Sequence, residues 1–388
     1  MVTKSAEQVL ELIKRQVIEA LGSLPLGQAD YEGTAKNIAR GMIRQQLALH
    51  MTEMPDMKYS YLYDTICDDL FGLGCLEPLL RDDSVTDILV KGIQVVSVSG
   101  DTRSNMNRKF GSVNETRRII DRITGRIGKR VDTSTPFCDC QLYDGSRCHI
   151  IIPPASDDIF ITIRKLKRLD LSLNDWVTAG VISESGVRIL EQAVNKKRNV
   201  IISGGTGAGK TTLLNSLANT IEDDQVIVTL EDTYELKIQK PNVRRLLTRQ
   251  SATDGAGEIN FSRLLKNALR MNPDRLIMGE VRDEAAYDLL HALNVGHKGS
   301  ISTIHANSVM DAMWRLETLA IMAVPNISLV ALKRQIARVV DYVVQIQGIE
   351  RSSKGYSGRR VLEIAAVLDT LSPKGDYKII KRYACEAP

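Results

Sequence analysis

Apolar residues recur every three to four positions through most of residues 1–70. This spacing predicts amphipathic helices over 6–21, 31–50 and about 59–70, because one face of an α-helix repeats about every 3.6 residues. Leu24-Pro25-Leu26-Gly27 ends the first of them. Amphipathic helices with short connections are typical of a small bundle, so residues 1–70 are predicted to form a helical bundle extension.

The pattern changes to apolar runs of strand length between residues 71 and 165. Runs on either side of Lys91-Gly92 predict a hairpin, and a helical pattern after them predicts a helix with Asn114 as its N-cap. Further strand patterns flank a turn at 143–146. These elements predict a compact α/β domain over 71–165, followed by a charged linker over 166–180.

Helix and strand patterns alternate in the last part of the chain, residues 181–388. Strands are predicted over 199–203, 226–231, 275–279 and up to His305, and helices over 183–198, 210–221, 261–271 and 283–292. Such alternation is typical of a parallel sheet covered by helices. The predicted fold class is therefore α/β, with a larger parallel-sheet domain after the smaller α/β domain.

Composition narrows the class of protein further. Of the 388 residues, 43% are hydrophobic and 25% are charged, which is ordinary for a globular protein of two or three domains. The net charge of +4 is mild and aromatic residues make up 5%, so nucleic-acid binding is disfavoured. No apolar run has the length of a membrane-spanning helix, and six cysteines do not make a disulfide framework. We therefore expect a cytosolic protein with reduced thiols.

A phosphate-binding loop lies between a predicted strand and a predicted helix. The stretch GGTGAGKTT has the glycine, lysine and threonine spacing of a P-loop. Its glycines let backbone N–H groups turn toward phosphates, Lys210 reaches the outer phosphates, and the Thr211 hydroxyl binds Mg²⁺. A glycine-rich turn without a ligand is the disfavoured alternative, because the flanking strand and helix fit the motif. The predicted nucleotide-binding residues are Gly204, Gly205, Thr206, Gly207, Ala208, Gly209, Lys210, Thr211 and Thr212.

Acidic residues end two of the predicted strands. Glu231 and Asp232 follow one strand, and Glu280 follows the strand that contains Leu276-Ile277-Met278. Ligands of open α/β sheets bind at the carboxyl ends of the strands, so these acids are predicted to face the P-loop. We assign Glu280 as the water-activating base, with Glu231 and Asp232 on the Mg²⁺ side. The alternative is that the acids cap the helices that follow.

Histidine and cysteine residues add further candidates. His305 ends the next strand and is a candidate sensor of the γ-phosphate, although a buried histidine is more often a core residue. Zinc binding by His297 and His305 is disfavoured by their spacing. Cys138, Cys140 and Cys148 suggest a second zinc hypothesis, which is also disfavoured, and their role stays open.

Four stretches of the sequence, taken in order, resemble the hexameric secretion and pilus ATPases, a family that includes type II secretion, type IV pilus and type IV secretion motors. They are GGTGAGKTT, LEDTYEL, LRMNPDRLIMGEVRDEA and GHKGSISTIHANS. The resemblance covers about 71–365. It implies a RecA-like P-loop motor domain with a smaller N-terminal α/β domain, ATP and Mg²⁺ as cofactors, and catalytic roles for Lys210, Glu280 and His305.

The upstream stretches GLGCLEPLLRDDSVTDILVKG and DGSRCHIIIPP resemble the N-terminal domain of the Tad/Flp-pilus and type IV secretion branches. In those branches, arginines at the positions of Arg147 and Arg164 reach the nucleotide across the domain interface; the alternative is salt bridges within the fold. The helices over 1–70 resemble the Tad/Flp branch more. The resemblance implies a cytoplasmic homo-hexamer, peripheral at the inner face of the cell membrane. Its activity would power pilus assembly, pilus retraction or protein secretion through an inner-membrane platform protein.

Other functions stay open at this point. A type IV secretion or conjugative DNA-transfer ATPase with the same core is the main alternative. A nucleic-acid translocase and a nucleotide-binding scaffold without hydrolysis are further alternatives, which the mild net charge and the complete set of acids disfavour. The basic residues over 101–132 form either a solvated helix face or a docking site for an acidic partner or an anionic leaflet.

Overall fold

The chain forms two compact units, Met1–Lys167 and Arg168–Pro388. The hydrophobic clusters of the core each lie within one unit. Among the residues described below, no helix is both long enough and apolar enough to cross a bilayer. The computed structural model describes residues 6–22, 31–50, 58–99, 102–104, 109–165, 171–249, 257–282, 285–349 and 358–385.

The first unit begins with three helices that share an apolar core. They are α1 (Ala6–Gly22), α2 (Tyr31–His50) and α3 (Tyr59–Phe71). Their buried side chains recur at helical spacing and are Val9, Ile13, Val17, Ala39, Ile43, Leu47, Leu62 and Ile66. The three helices expected from the sequence are confirmed.

An antiparallel sheet forms most of the rest of the first unit. Its strands are β1 (Asp87–Lys91), β2 (Gln94–Ser99), β3 (Thr102–Ser104), β4 (Phe137–Gln141), β5 (Arg147–Ile151) and β6 (Phe160–Arg164). The spatial order is β3-β2-β1-β6-β5-β4. The hairpin expected at Lys91-Gly92 is confirmed, because β1 and β2 pair on either side of it. A short 3₁₀ turn at Gly74–Leu76 and the helix α4 (Glu77–Arg81) connect α3 to this sheet.

One longer helix, α5 (Val113–Arg126), packs on this sheet through Ile119, Ile120 and Ile123. Its N-cap is Ser112, whose hydroxyl accepts a hydrogen bond from the Glu115 N–H at 3.2 Å. The N-cap expected at Asn114 is therefore wrong. The helix begins earlier because Ser112 has an extended backbone and reaches the third N–H of the helix.

The basic face of α5 contacts the end of the bundle. Arg122 donates hydrogen bonds to the carbonyl oxygens of Asp69 and Gly72, and Arg126 donates to the Phe71 carbonyl at 3.1 Å. These carbonyls lie at the C-terminus of α3, where a positive charge is favourable. Arg122 and Arg126 therefore link the bundle to the sheet. For the basic residues over 101–132 we expected either a solvated helix face or a docking site, and these two arginines form neither.

An eight-stranded sheet forms the centre of the second unit. Its strands are β7 (Val200–Ser203), β8 (Ile227–Glu231), β9 (Val243–Leu247), β10 (Arg275–Met278), β11 (Ile301–Ile304), β12 (Tyr342–Ile349), β13 (Gly358–Leu371) and β14 (Tyr377–Ala384). The order is β14-β13-β12-β7-β11-β10-β8-β9. The four predicted strands, β7, β11, β10 and β8, are parallel, as expected. Two unpredicted strands, β9 and β12, extend the parallel sheet, and two more, β13 and β14, add antiparallel pairs.

Helices cover both faces of this sheet, which accounts for its almost fully buried central strands. They are α6 (Leu173–Thr178), α7 (Glu184–Asn195), α8 (Lys210–Ala218), α9 (Phe261–Ala268), α10 (Ala285–Asn294), α11 (Val309–Ala323) and α12 (Leu329–Val339), with a 3₁₀ turn at Leu269–Met271. α6 lies within the stretch expected to be a linker. Its Trp176 is 2% exposed and donates a hydrogen bond to Ser216 at 2.8 Å, so α6 belongs to the core of the second unit.

Candidate functional site

The carboxyl ends of four neighbouring parallel strands bring the candidate residues together. β7, β11, β10 and β8 lie side by side in that order. The P-loop follows β7, His305 follows β11, Glu280 follows β10 just beyond Gly279, and Glu231 is the last residue of β8. Because these strands are parallel, all four ends lie at the same edge of the sheet. The predicted common edge is confirmed.

Three glycines of the P-loop could not be replaced by a larger residue without backbone strain or a close contact. Gly207 and Gly209 have φ angles of +73° and +99°, which side-chain-bearing residues rarely adopt. A Cβ on Gly204 would lie 2.3 Å from the carbonyl oxygen of Ile346 on β12. The loop therefore packs against β12 at Gly204 and continues into the N-terminus of α8 after Gly209.

Lys210 lies inside this loop and is only 7% exposed. Its Nζ donates hydrogen bonds to the carbonyl oxygens of Gly204 at 2.9 Å and Gly205 at 2.8 Å. The same Nζ lies 3.3 Å from Nδ1 of His305. Burial lowers the pKa of Lys210, although the negative charge of Glu280 opposes that change. The amine is thus positioned where the P-loop motif places a phosphate-binding lysine.

Glu280 connects to the P-loop through His305. Its Oε1 lies 3.2 Å from Nε2 of His305, and its Oε2 accepts a hydrogen bond from Arg282 at 2.6 Å. Burial raises the pKa of Glu280, but the hydrogen bond and charge of Arg282, with His305 and Lys210, outweigh burial and leave the pKa below its ordinary value. Glu280 is therefore ionised at neutral pH.

His305 lies between the lysine and the glutamate and is partly exposed. Burial lowers its pKa, and the positive charge of Lys210 lowers it further, while Glu280 opposes both effects. A neutral imidazole is therefore favoured at pH 7. The structure brings Lys210, His305 and Glu280 into one contact chain, so His305 is not an isolated core histidine.

Arg282 is a site residue that the sequence analysis missed. Its Nη1 donates to Oδ2 of Asp232 at 3.2 Å, while Nη2 donates to Glu280. The guanidinium thus joins the acids that follow β8 and β10. The sequence shows that Arg282 lies two residues after Glu280. Its contact with Asp232 depends on the pairing of β10 with β8, which the local sequence does not show.

Glu231 differs from its expected place on the metal side. It is 2% exposed, and its Oε2 accepts hydrogen bonds from the N–H groups of Glu235 and Leu236, each at 2.8 Å. Its Oε1 accepts a hydrogen bond from the Thr229 hydroxyl at 3.0 Å. Both oxygens are engaged by the chain around them, so Glu231 organises the loop after β8, close to the capping role stated as the alternative.

A cavity of about 320 Å³ opens beside this contact chain. It is lined by Glu280, Val281, Arg282, His305, Arg315 and Leu319. Arg315 and Leu319 come from α11, so this helix forms the wall opposite Glu280. A cavity bordered by a carboxylate, a histidine and two arginines suits a small charged group.

Arg147 and Arg164 lie in the first unit, opposite each other on β5 and β6. Nε of Arg164 lies 3.0 Å from Oδ1 of Asp87, which is the salt bridge that the sequence analysis stated as an alternative. The structure therefore brings the two arginines together. A contact of either arginine with a nucleotide remains a prediction.

The residues of the loop edge fit a nucleotide with a divalent cation. The P-loop segment 205–207 is exposed, and no hydrogen bond within the described residues engages the Thr211 hydroxyl. Asp232 is exposed, and among the described residues its carboxylate contacts two side chains, Arg282 and the Thr248 hydroxyl at 2.8 Å. In the described part of the chain, no cluster of three or more His, Cys, Asp or Glu side chains is spaced to hold a metal by itself.

The three cysteines of the first unit lie on adjacent strands. Cys140 pairs with Cys148 across β4 and β5, and Cys138 and Cys148 are buried. The hydrogen bond with Cys138 lowers the pKa of Cys140, but the hydrogen bond with Cys148 and burial outweigh it and raise this pKa to about 12. A hydrogen bond with Cys140 and burial also raise the pKa of Cys138. These protonated thiols act as apolar packing groups.

Residues 70–372 match the Type II/IV secretion system protein family. The chain belongs to this family. Conjugal transfer protein TrbB of Rhizobium radiobacter is 33% identical over 308 residues, which cover 78% of this chain and 88% of that protein. The type IV secretion system protein VirB11 of Bartonella henselae is 28% identical over 292 residues, 66% of this chain and 82% of that protein. The solved structure of the Legionella pneumophila ATPase DotB matches with a TM-score of 0.52 at 22% identity, covering 74% of this chain and 78% of that one, and shows the fold alone.

This member of the Type II/IV secretion family has the expected α/β fold class, in which a RecA-like domain with a P-loop follows a smaller α/β domain. The predicted family is confirmed. Its relatives named above are conjugal transfer and type IV secretion proteins, which support the alternative of the sequence analysis better than the Tad/Flp pilus branch.

Proposed function

We propose that this protein hydrolyses ATP as the ring-forming motor of a type IV secretion or conjugal-transfer apparatus. The contact chain at the sheet edge carries the proposal: Lys210 in the P-loop lies 3.3 Å from His305, which lies 3.2 Å from Glu280. A buried cation for phosphates and an ionised carboxylate for water are thereby linked through one imidazole.

Each residue of the edge has a proposed part in hydrolysis. Lys210 and the N–H groups of the P-loop bind the outer phosphates of ATP. Thr211 and Asp232 would supply oxygen ligands for Mg²⁺, and the chemistry that this ion would add is neutralisation of phosphate charge. Glu280 orients the attacking water and accepts its proton, and neutral His305 contacts the γ-phosphate.

Glu280 has to release Arg282 before it can accept that proton. In the structure, Arg282 occupies Oε2 of Glu280 at 2.6 Å and lowers its pKa, which makes the carboxylate a weaker base. Asp232, which accepts a hydrogen bond from Arg282, would be shared between this guanidinium and a bound cation, and the hold of Arg282 on Glu280 would then weaken. Arg147 and Arg164 are proposed to neutralise phosphate charge from the first unit.

The relatives support secretion or conjugal transfer as the process that the motor serves. We extend this to a homo-hexamer that acts on a platform protein at the inner membrane, peripherally bound there. A pilus motor is the second candidate. It is favoured by the α1–α3 bundle, most of which precedes the family match that begins at residue 70.

Phosphate release by the purified full chain tests the proposed hydrolysis. Lys210→Ala and Glu280→Gln are expected to lower turnover by about a hundredfold or more, because they remove a phosphate ligand and the base. Asp369→Asn, an exposed acid on β13, is the matched control and should leave turnover unchanged. Turnover like that of the wild type in either site variant would refute the assignment, and strong stimulation by DNA would indicate a translocase.

Light scattering tests the ring. With a non-hydrolysable ATP analogue, the mass should rise to that of six copies. A strict monomer at all concentrations contradicts the ring-forming motor but leaves the assignment of hydrolysis intact.

A further inference from the structure

A second cation lies against the P-loop, and it comes from β13. A Cβ on Gly209 would lie 3.0 Å from Cδ, 3.4 Å from Nε and 3.5 Å from Nη1 of Arg359. Arg359 is the second residue of β13, and its side chain therefore runs along the last glycine before Lys210. No part of the P-loop motif predicts this arginine, because it lies far along the chain.

Within the part of the chain that the structure describes, no acidic side chain pairs with Arg359. The structure shows no hydrogen bond or ion pair for its guanidinium among the described residues. Its side chain is exposed, so the guanidinium is free to turn toward the loop opening. Glu280, the acid proposed as the base, contacts Arg282 and His305.

The location of Arg359 is electrostatically unfavourable without an anion. Gly209 is the N-cap of α8, and the N-terminus of a helix carries a partial positive charge. Lys210 adds a full positive charge at the same end. Two cations at the positive end of a helix repel each other and are repelled by the helix dipole. An anion bound between them would offset this repulsion.

We propose that Arg359 binds the phosphate chain of the nucleotide, as a cation that β13 supplies to the P-loop opposite Lys210. The proposal rests on the proposed nucleotide site and adds a phosphate ligand to it. A guanidinium suits this role because its planar fork donates more than one hydrogen bond to phosphate oxygens. The competing possibility is that Arg359 contacts the base or ribose. Comparison of an ATP analogue with tripolyphosphate, which has neither group, distinguishes the two contacts.

Calorimetric titration of the full chain with two ligands tests this proposal. The ligands are a non-hydrolysable ATP analogue and inorganic tripolyphosphate, each with Mg²⁺. Arg359→Gln should weaken binding of both by about tenfold, the scale of one charge-assisted hydrogen bond, and Arg359→Lys should weaken it less. Arg360→Gln is the matched control, because adjacent residues of a strand point to opposite faces. Lys210→Ala is the reference for loss of a phosphate ligand.

The outcomes distinguish the inference from the function on which it rests. If Arg359→Gln binds both ligands as Arg360→Gln does, while Lys210→Ala loses affinity, the inference is overturned and the nucleotide site stands. If Arg359→Gln loses affinity for the ATP analogue alone, the contact is with the base or ribose, and the phosphate proposal is again overturned. Wild-type protein that binds neither ligand overturns both. Thermal melting of each variant verifies that the fold is retained.

Discussion

Arg282 binds two acids at the sheet edge and lowers the pKa of one of them, Glu280. It contacts Glu280 at 2.6 Å and Asp232 at 3.2 Å, so one guanidinium restrains two carboxylates with different proposed roles. A neighbouring positive charge stabilises an ionised carboxylate and lowers its pKa. The local sequence shows only that an arginine follows Glu280, whereas its effect on pKa depends on the contact.

Replacement of Arg282 should move the pH dependence of hydrolysis. Arg282→Gln removes the charge that lowers the pKa of Glu280, so that this pKa rises and the carboxylate is lost at a higher pH. The acidic limb of the kcat/KM profile, which reports the free enzyme in which Arg282 contacts Glu280, should then shift upward by about one pH unit. Arg315→Gln, an arginine of the same cavity, is the control and should leave that limb in place. An unchanged limb in Arg282→Gln would show that Glu280 does not govern it.

At the scale of elements, a buried arginine joins three segments of the second unit. Arg275 on β10 is 2% exposed and donates to Gln225 Oε1 at 2.6 Å, Gly299 O at 3.2 Å and Val194 O at 2.8 Å. These acceptors lie before β8, before β11 and in α7. All three acceptors are uncharged, and the loss of any of these hydrogen bonds is costly because the guanidinium is buried.

Gly299→Ala should destabilise the second unit through Arg275. A Cβ at Gly299 would lie 1.9 Å from Nη1 of Arg275, and we expect a loss of about 2 kcal/mol or more in the free energy of unfolding. Gly296→Ala is the control. It also has a positive φ but no atom within 4 Å of the added Cβ, so backbone strain of about 1 kcal/mol is expected.

Urea denaturation followed by tryptophan fluorescence measures this difference. Both tryptophans of the chain, Trp176 and Trp314, lie in the second unit, and the signal therefore reports that unit alone. Equal destabilisation by the two alanine substitutions would contradict the proposed collision with Arg275.

Local patterns predicted part of the site, and the rest depends on contacts distant in the chain. The P-loop and the strand before Glu280 could be predicted because their spacing and periodicity are local. The position of Glu231 could not, because it depends on the path of the loop that brings the N–H groups of Glu235 and Leu236 to its carboxylate. Arg359 could not be predicted either, because β13 approaches the P-loop only in the folded sheet.

The same reasoning applies to the elements. The alternation of helices and strands predicted the parallel sheet, since each strand is a short buried run between amphipathic helices. The strands β12 to β14 were missed because helices no longer separate them, and periodicity alone does not distinguish such apolar runs from buried helix segments. The α1–α3 bundle was predicted because each helix has a clear apolar face.

At the scale of the whole molecule, the chain has two units with separate hydrophobic cores. A unit with its own core is able to fold alone. The nucleotide-binding edge belongs to the second unit, whereas Arg147 and Arg164 belong to the first. In the proposed function, ATP binding therefore needs the second unit alone, whereas hydrolysis needs both units.

A fragment of residues 168–388 should separate binding from hydrolysis. We expect it to fold, by circular dichroism, and to bind ATP within about threefold of the full chain, since the P-loop and its contacts are retained. Its turnover should be strongly reduced, because the proposed arginines are absent. The full-chain variants Arg147→Gln and Arg164→Gln are the matched comparison. Full turnover by the fragment would show that neither arginine takes part.

The P-loop is completed by residues made late in synthesis. Ile346 on β12 forms the wall against Gly204, and Arg359 on β13 lies against Gly209. A nascent chain that has just emerged with its P-loop therefore lacks both neighbours. Full packing of the loop therefore waits for β12 and β13, and a chain cut short before β13 would lack Arg359 beside Gly209.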